Sequence, residues 1–166
     1  QKGVDRIDSS YVGYTNVLKS LGEAPVLYDE GLTSRSEKNI GAYYFQRGYF
    51  NVDVATSVKY TEDKADVTYN VNTGRQYVID SINTDIESAT LRRLYNRAKS
   101  ESLIATGDTY SQETLEGEAE RLSLYFKQNG VYDFLTDYIN YYVDTIGYKG
   151  RAQILISIKI QERETP

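Results

Sequence analysis

This chain contains one structural unit twice, and that constrains its fold more than anything else in the sequence. From residue 33 to residue 74 the pattern reads helix, Gly, strand, turn, strand. Ser34 followed by Glu37 is the capping-box spacing, in which each side chain satisfies the other residue's backbone N–H. Ile40, Tyr43, Tyr44 and Arg47 fall on helical spacing, and Gly48 stops the helix in a conformation that needs positive φ. Val52, Val54, Thr56, Val58 and Tyr60 then alternate with polar residues, as in a strand with one buried face. Residues 61–64 turn the chain. Ala65, Val67, Tyr69 and Val71 alternate in a second strand, which Thr73 and Gly74 end.

The same order returns further on. Ser111 caps a helix whose Leu115, Ala119, Leu122 and Phe126 form one stripe, and Asn129–Gly130 closes it. A strand follows over 138–143, then a turn over 147–150, then a strand in which Ile154, Ile156, Ile158 and Ile160 alternate. Aligning Gly48 with Gly130, 82 positions on, also aligns Tyr43 with Tyr125, Tyr44 with Phe126 and Phe50 with Tyr132. A period of this kind means two copies of one supersecondary unit. The second copy carries more of it. Residues 77–86 alternate as a strand, and Ser88 caps a helix with Leu91, Leu94, Tyr95 and Ala98 at i, i+3, i+4 and i+7. The full unit is therefore strand, helix, helix, strand, strand. In the first copy residues 11–21 match the first helix, while residues 1–10 are too polar to supply the opening strand. The expected boundary falls at 75/76 with almost no linker, giving modules over 1–75 and 76–162 that touch or pivot on a short hinge.

Composition narrows the chemistry. With no His and no Cys, the common general base, thiol nucleophile and zinc-ligand sets are missing. There is no Gly-x-Gly pair and no Gly-Lys dipeptide, so dinucleotide and P-loop fingerprints are absent too. A net charge of −5, with the basic residues scattered, argues against a phosphate-backbone ligand. Glu116 and Glu120 share a helix face, but with Glu113 and Glu118 nearby they read as a solvated side. Asn83, Asp85 and Glu87 alternate as calcium ligands do, yet lack the Gly of an EF-hand loop and read as a strand-to-helix turn. No catalytic, cofactor-binding or metal-ligating residues are assigned, and no cofactor is expected. Of the aromatic residues, 17 are Tyr, a side chain suited to half-buried surfaces. Tyr43, Tyr44, Tyr49 and Phe50 are read as packing the helix onto its sheet. Tyr138, Tyr141 and Tyr142 span both faces of one strand, so at least one ring is expected to be exposed. No apolar run reaches the length of a membrane span. The absence of Met leaves no initiator, so the chain is expected to be part of a longer protein.

The order of elements, the length of about 80 residues per unit and the tandem arrangement resemble the POTRA domain. The residues that carry the resemblance most are Ile40-Gly41-Ala42-Tyr43-Tyr44-Phe45-Gln46-Arg47-Gly48-Tyr49-Phe50, an aromatic pair, then Gly, then Tyr-Phe. The alternating run over 67–74 that ends in Gly and leads into Gln76-Tyr77-Val78-Ile79 is similar to the family, as is Gly107-Asp108-Thr109-Tyr110 before the second helix. The looser counterpart over 22–28 resembles the surface-antigen branch found in Bacteroidetes-like organisms. The second copy departs from the pattern at Val131, where an aromatic residue is usual. The resemblance implies an α+β fold of two tandem βααββ modules, each a three-stranded mixed sheet covered on one face by two helices, with the first module irregular at its start. It implies an Omp85-class parent in the outer membrane, with these modules in the periplasm and a C-terminal membrane β-barrel beyond them. The partners it implies are unfolded outer-membrane proteins or accessory lipoproteins, and no nucleic acid. Binding would be by β-augmentation at sheet edges. The partner-binding residues would be Val52, Val54, Thr56, Val58 and Tyr60 in one module, and Tyr138, Asn140, Tyr141 and Tyr142 in the other. The alternative is an interaction or adhesion module of a secreted protein unrelated to barrel assembly.

Overall fold

The structure is a computed structural model that describes residues 27–62, 64–147 and 150–159. The helix expected over 11–21, the opening segment over 1–10, most of the stretch over 22–28 and Ile160 lie outside the described residues. By compactness the chain divides into Gln1–Gly31 and Leu32–Pro166, and the features below belong to the second unit apart from the first turn of its leading helix.

Helix α1 runs Glu30–Phe45 and so begins four residues before the expected cap at Ser34. Glu30 stands in the first turn, where a carboxylate complements the positive end of the helix dipole. The capping box over Ser34 and Glu37 is therefore corrected. Glu37 instead accepts a hydrogen bond from Thr56 Oγ1 on the following sheet, a tertiary use of the carboxylate. None of the α1 side chains is buried. After the helix, Gly48 takes φ +84°. Strands β1 (Asp53–Tyr60) and β2 (Ala65–Asn72) form an antiparallel hairpin closed by Thr61 N–H donating to Lys64 O at 2.8 Å. Val54 opposite Val71, Thr56 opposite Tyr69 and Val58 opposite Val67 share one face.

The second sheet is built from β3 (Val78–Ile86), β4 (Ile139–Asp144) and β5 (Arg151–Ile158), in the order β3-β5-β4. β3 runs parallel to β5, and β4 antiparallel to it. A parallel pair needs a long crossover. Here helices α2 (Ala89–Ala98) and α3 (Gln112–Gln128) lie within it. Both begin on the caps read from sequence: Ser88 Oγ accepts from Leu91 N–H, and Ser111 Oγ from Thr114 N–H. This half is the α+β mixed sheet with two helices that the sequence implied.

One core unites these elements. Leu91, Leu94 and Ala98 of α2 meet Leu115, Ala119, Leu122 and Phe126 of α3 over Ile79, Ile86, Ile139, Ile154, Ile156 and Ile158. Leu122, Phe126, Ile154 and Ile158 are fully buried. Each such side chain contributes about 1.5–3 kcal/mol on leaving water. Ile79 and Ile86 both face inward although seven positions apart, which strict alternation forbids. A bulge between Ile79 and Ser81 leaves Asp80 out of the ladder and restores the phase.

Candidate functional site

Strand edges come first, because an edge offers unpaired backbone donors and acceptors whatever its side chains. β4 is an edge of its sheet, and among the described residues no backbone hydrogen bond reaches its outer side. β1 is likewise at an edge of the described hairpin. The opposite edge of the second sheet is different. Segment 107–110 lies against the start of β3: Ile79 N–H donates to Asp108 O, Gly107 N–H to Ile79 O, and Tyr110 N–H to Tyr77 O, at 2.8–2.9 Å. The Gly-Asp-x-Tyr stretch thus covers one strand end.

The side chains expected at the edges take distinct places. Val52 precedes β1; Val54, Thr56 and Val58 are half-buried on the face of Glu37; Tyr60, at the strand end, is exposed. Tyr138 sits in a short 3-10 turn before β4, half-buried with its ring 5.5 Å from that of Phe134. Asn140 and Tyr142 point outward, and Tyr142, 60% exposed, stands opposite partly exposed Leu155 of β5. Tyr141 points inward. Its hydroxyl is buried without a hydrogen-bond partner among the described residues, and burial, with Glu118 second, pushes its pKa above the ordinary tyrosine value. The exposed ring expected on this strand is Tyr142.

The joint between the two halves, expected near 75/76 with almost no linker, is built on the end of α1 and the residues that follow it. The last carbonyls of a helix have no partner within it. Here the following half supplies partners: Tyr77 N–H donates to Gly48 O at 2.9 Å, Gln112 N–H to Gln46 O at 2.8 Å, and Gln76 Nε2 to Arg47 O at 2.9 Å. Phe50 packs its ring 5.1 Å from Tyr77 and 4.9 Å from Tyr110. Expected to pack the helix onto its own sheet, Phe50 instead fills the joint. A Cβ on Gly48 would stand 3.0 Å from both Cβ and O of Tyr110. In the second copy Gly130 also has positive φ, +98°, but meets nothing within 4 Å, and Tyr132, aligned with Phe50, is 80% exposed. Both glycines are followed within two positions by an aromatic residue, so that local pattern alone does not mark the joint.

The acidic run on α3 is corrected at one position. Glu113, Glu116 and Glu120 are exposed, but Glu118 is 1% exposed. It lies three residues after Leu115, on the buried stripe. Its carboxylate accepts from Ser102 Oγ and Leu103 N–H at 2.9 Å, and forms a two-point ion pair with Arg121 at 2.7 and 2.8 Å. Arg121 also donates to Ala98 O at 3.2 Å. This hydrogen bonding holds the Arg121 pKa above its usual value. The carboxylate is fully engaged, so it serves structure. Asp85 and Glu87, read as a turn, pair with Lys159 Nζ at 3.3 and 3.1 Å.

These features define a class: a small βααββ module with an exposed sheet edge, joined through a helix terminus to a preceding helix and hairpin. Residues 15–74 match the profile of the POTRA family, described as a surface antigen variable number repeat. That match, over 60 of the chain's 166 residues, is to the same family that the sequence resembles. Among solved structures, the chain is similar to BamA from Haemophilus ducreyi lacking POTRA domains 1–3 (TM-score 0.48, 19% identity, 82% of this chain and 24% of that one). It is also similar to POTRA3–5 of Haemophilus influenzae BamA (0.45, 15%, 85% and 52%) and to POTRA1–3 of Omp85 from Anabaena (0.38, 16%, 76% and 49%). The chain spans only a quarter to a half of each of these, from 24% to 52%. No curated protein matches it.

Proposed function

We propose that this chain is a periplasmic docking region of an outer-membrane β-barrel assembly or translocation factor. In this reading it binds unfolded outer-membrane proteins or accessory lipoproteins by strand addition at β1 and β4, and its parent is anchored by a C-terminal membrane β-barrel. The observation that carries the reading is the open edge of β4, flanked by outward Tyr142 and Leu155, in a sheet whose other edge is bulged and partly covered. Backbone pairing is nearly blind to sequence, which suits a protein with many clients. The outward ring adds apolar contact beside the new strand. The two modules, meeting near residue 75, would present their edges in succession along one chain.

The test is an NMR titration of the isotope-labelled chain with an extended peptide copied from the last strand of a barrel protein. Amide shifts concentrated in β1 or β4 are the expected result. If no amide of either strand moves at about millimolar peptide, a concentration that detects binding of roughly −4 kcal/mol, strand addition is refuted.

A further inference from the structure

Away from both edges, helix folding gathers charges that look scattered in the sequence. Ala89, Arg92, Arg93, Asn96 and Arg97 lie at i, i+3, i+4, i+7 and i+8 of α2, opposite the buried Leu91, Leu94 and Ala98. All five are exposed, and together they line a shallow surface cavity of about 420 Å³ with no carboxylate among its described lining residues. Arg92 is anchored: its guanidinium donates to Ile86 O at 2.5 Å and to Glu87 O at 3.5 Å. Arg93 and Arg97 form no ion pair among the described residues. Like charges at i and i+4 on a helix repel, so the pair costs the fold stability. It stands on a chain of net charge −5, where acidic partners are plentiful.

We propose that this face of α2 docks an acidic helix of a partner protein. Guanidinium groups bind carboxylates through two parallel hydrogen bonds. Arg93 and Arg97 are spaced like carboxylates at i and i+4 on an opposing helix, about 6 Å apart. Overall charge disfavours an anionic membrane: three arginines fall short of the four to eight basic residues of a lipid-binding cluster, and the rest of the chain repels such a surface. This surface is separate from the strand edges, so it stands or falls independently of strand addition.

The test uses a fluorescent helical peptide with Glu at every fourth position, titrated into the chain at low and at physiological salt and followed by anisotropy. Arg93→Glu with Arg97→Glu is the diagnostic variant, since neither guanidinium supports the fold. Lys38→Glu with Lys59→Glu is the control with the same change in charge, at exposed positions elsewhere. Expected are binding by the parent chain, a loss of at least about tenfold in the α2 variant and less than about threefold in the control. Equal losses in both variants, or no binding by the parent chain at millimolar protein, overturn the proposal. So does sedimentation with vesicles containing about 30% phosphatidylglycerol that the α2 substitutions abolish, which would assign the face to a membrane.

Discussion

Replacing Gly48 by Ala tests whether the joint is a rigid contact, and Gly130→Ala supplies the matching reference. Both glycines follow helices, and both hold a left-handed backbone, at φ +84° and +98°. A β-carbon in that conformation costs about 1–2 kcal/mol at either site. Beyond that the sites differ. At Gly130 the new methyl enters open space, whereas at Gly48 it lands 3.0 Å from Tyr110 Cβ and from Tyr110 O. Tyr110 has little freedom to retreat, because its N–H is bonded to Tyr77 O and its ring packs on Phe50. Overpacking of this kind adds about 1–3 kcal/mol. Gly48→Ala should therefore cost roughly 2–5 kcal/mol against about 1–2 for Gly130→Ala. Urea unfolding of the two variants gives the difference. Amide exchange at Tyr77 and Gln112, whose N–H groups bond Gly48 O and Gln46 O, locates it. If the two variants lose equal stability and those amides keep their protection, the joint yields freely and the reasoning fails.

Other expectations concern the buried polar groups. Tyr141→Phe removes a buried hydroxyl that has no partner, so the chain should gain about 1 kcal/mol at neutral pH, measured by urea unfolding. Burial raises the pKa of Tyr141, Tyr95 and Tyr110 above that of the unfolded chain. Above the unfolded value near 10 the unfolded state loses protons first, so stability should fall as pH rises, by up to about 1.4 kcal/mol per pH unit for each group. A melting temperature that is flat into strong alkali would contradict this; Tyr141→Phe should flatten it only in part. Glu118→Ala leaves Arg121 without its ion pair and Leu103 N–H without its acceptor, and should cost about 3–5 kcal/mol by chemical denaturation. Conversely, exposed Glu116→Ala should change stability by less than about 0.5 kcal/mol.

Local chemistry made most of the second half legible. Ser88 and Ser111 announce their helices because a cap is a contact between near neighbours, and the Ile alternation of β5 survives because that strand is central. Reading failed where a distant partner outbid a local one. Ser34 and Glu37 satisfy the spacing of a cap, but Thr56 claims the Glu37 carboxylate and the helix extends back to Glu30. Glu118 was lost in a run of acids because its burial depends on Ser102 and Arg121. Phe50 and Gly48 announced a turn, yet what they serve is the neighbouring half. The edge position of β4 followed from the family resemblance, while the cover over the start of β3 had no sequence signal beyond the Gly-Asp-x-Tyr stretch.

The bulge at Asp80 divides the labour of one strand. Before it, Tyr77 answers to the joint and Ile79 to both segment 107–110 and the core; after it, Ile82 and Ile86 answer to β5 and the core. The extra residue acts as a frame shift that lets each stretch keep its own phase. Removing Asp80 would therefore turn either Ile79 or Ile86 out of the core, since a one-residue slip exchanges the two faces of a strand. The one residue left out of the ladder thus lets a strand that begins at the joint end in the packed unit with both of its buried isoleucines facing the same core.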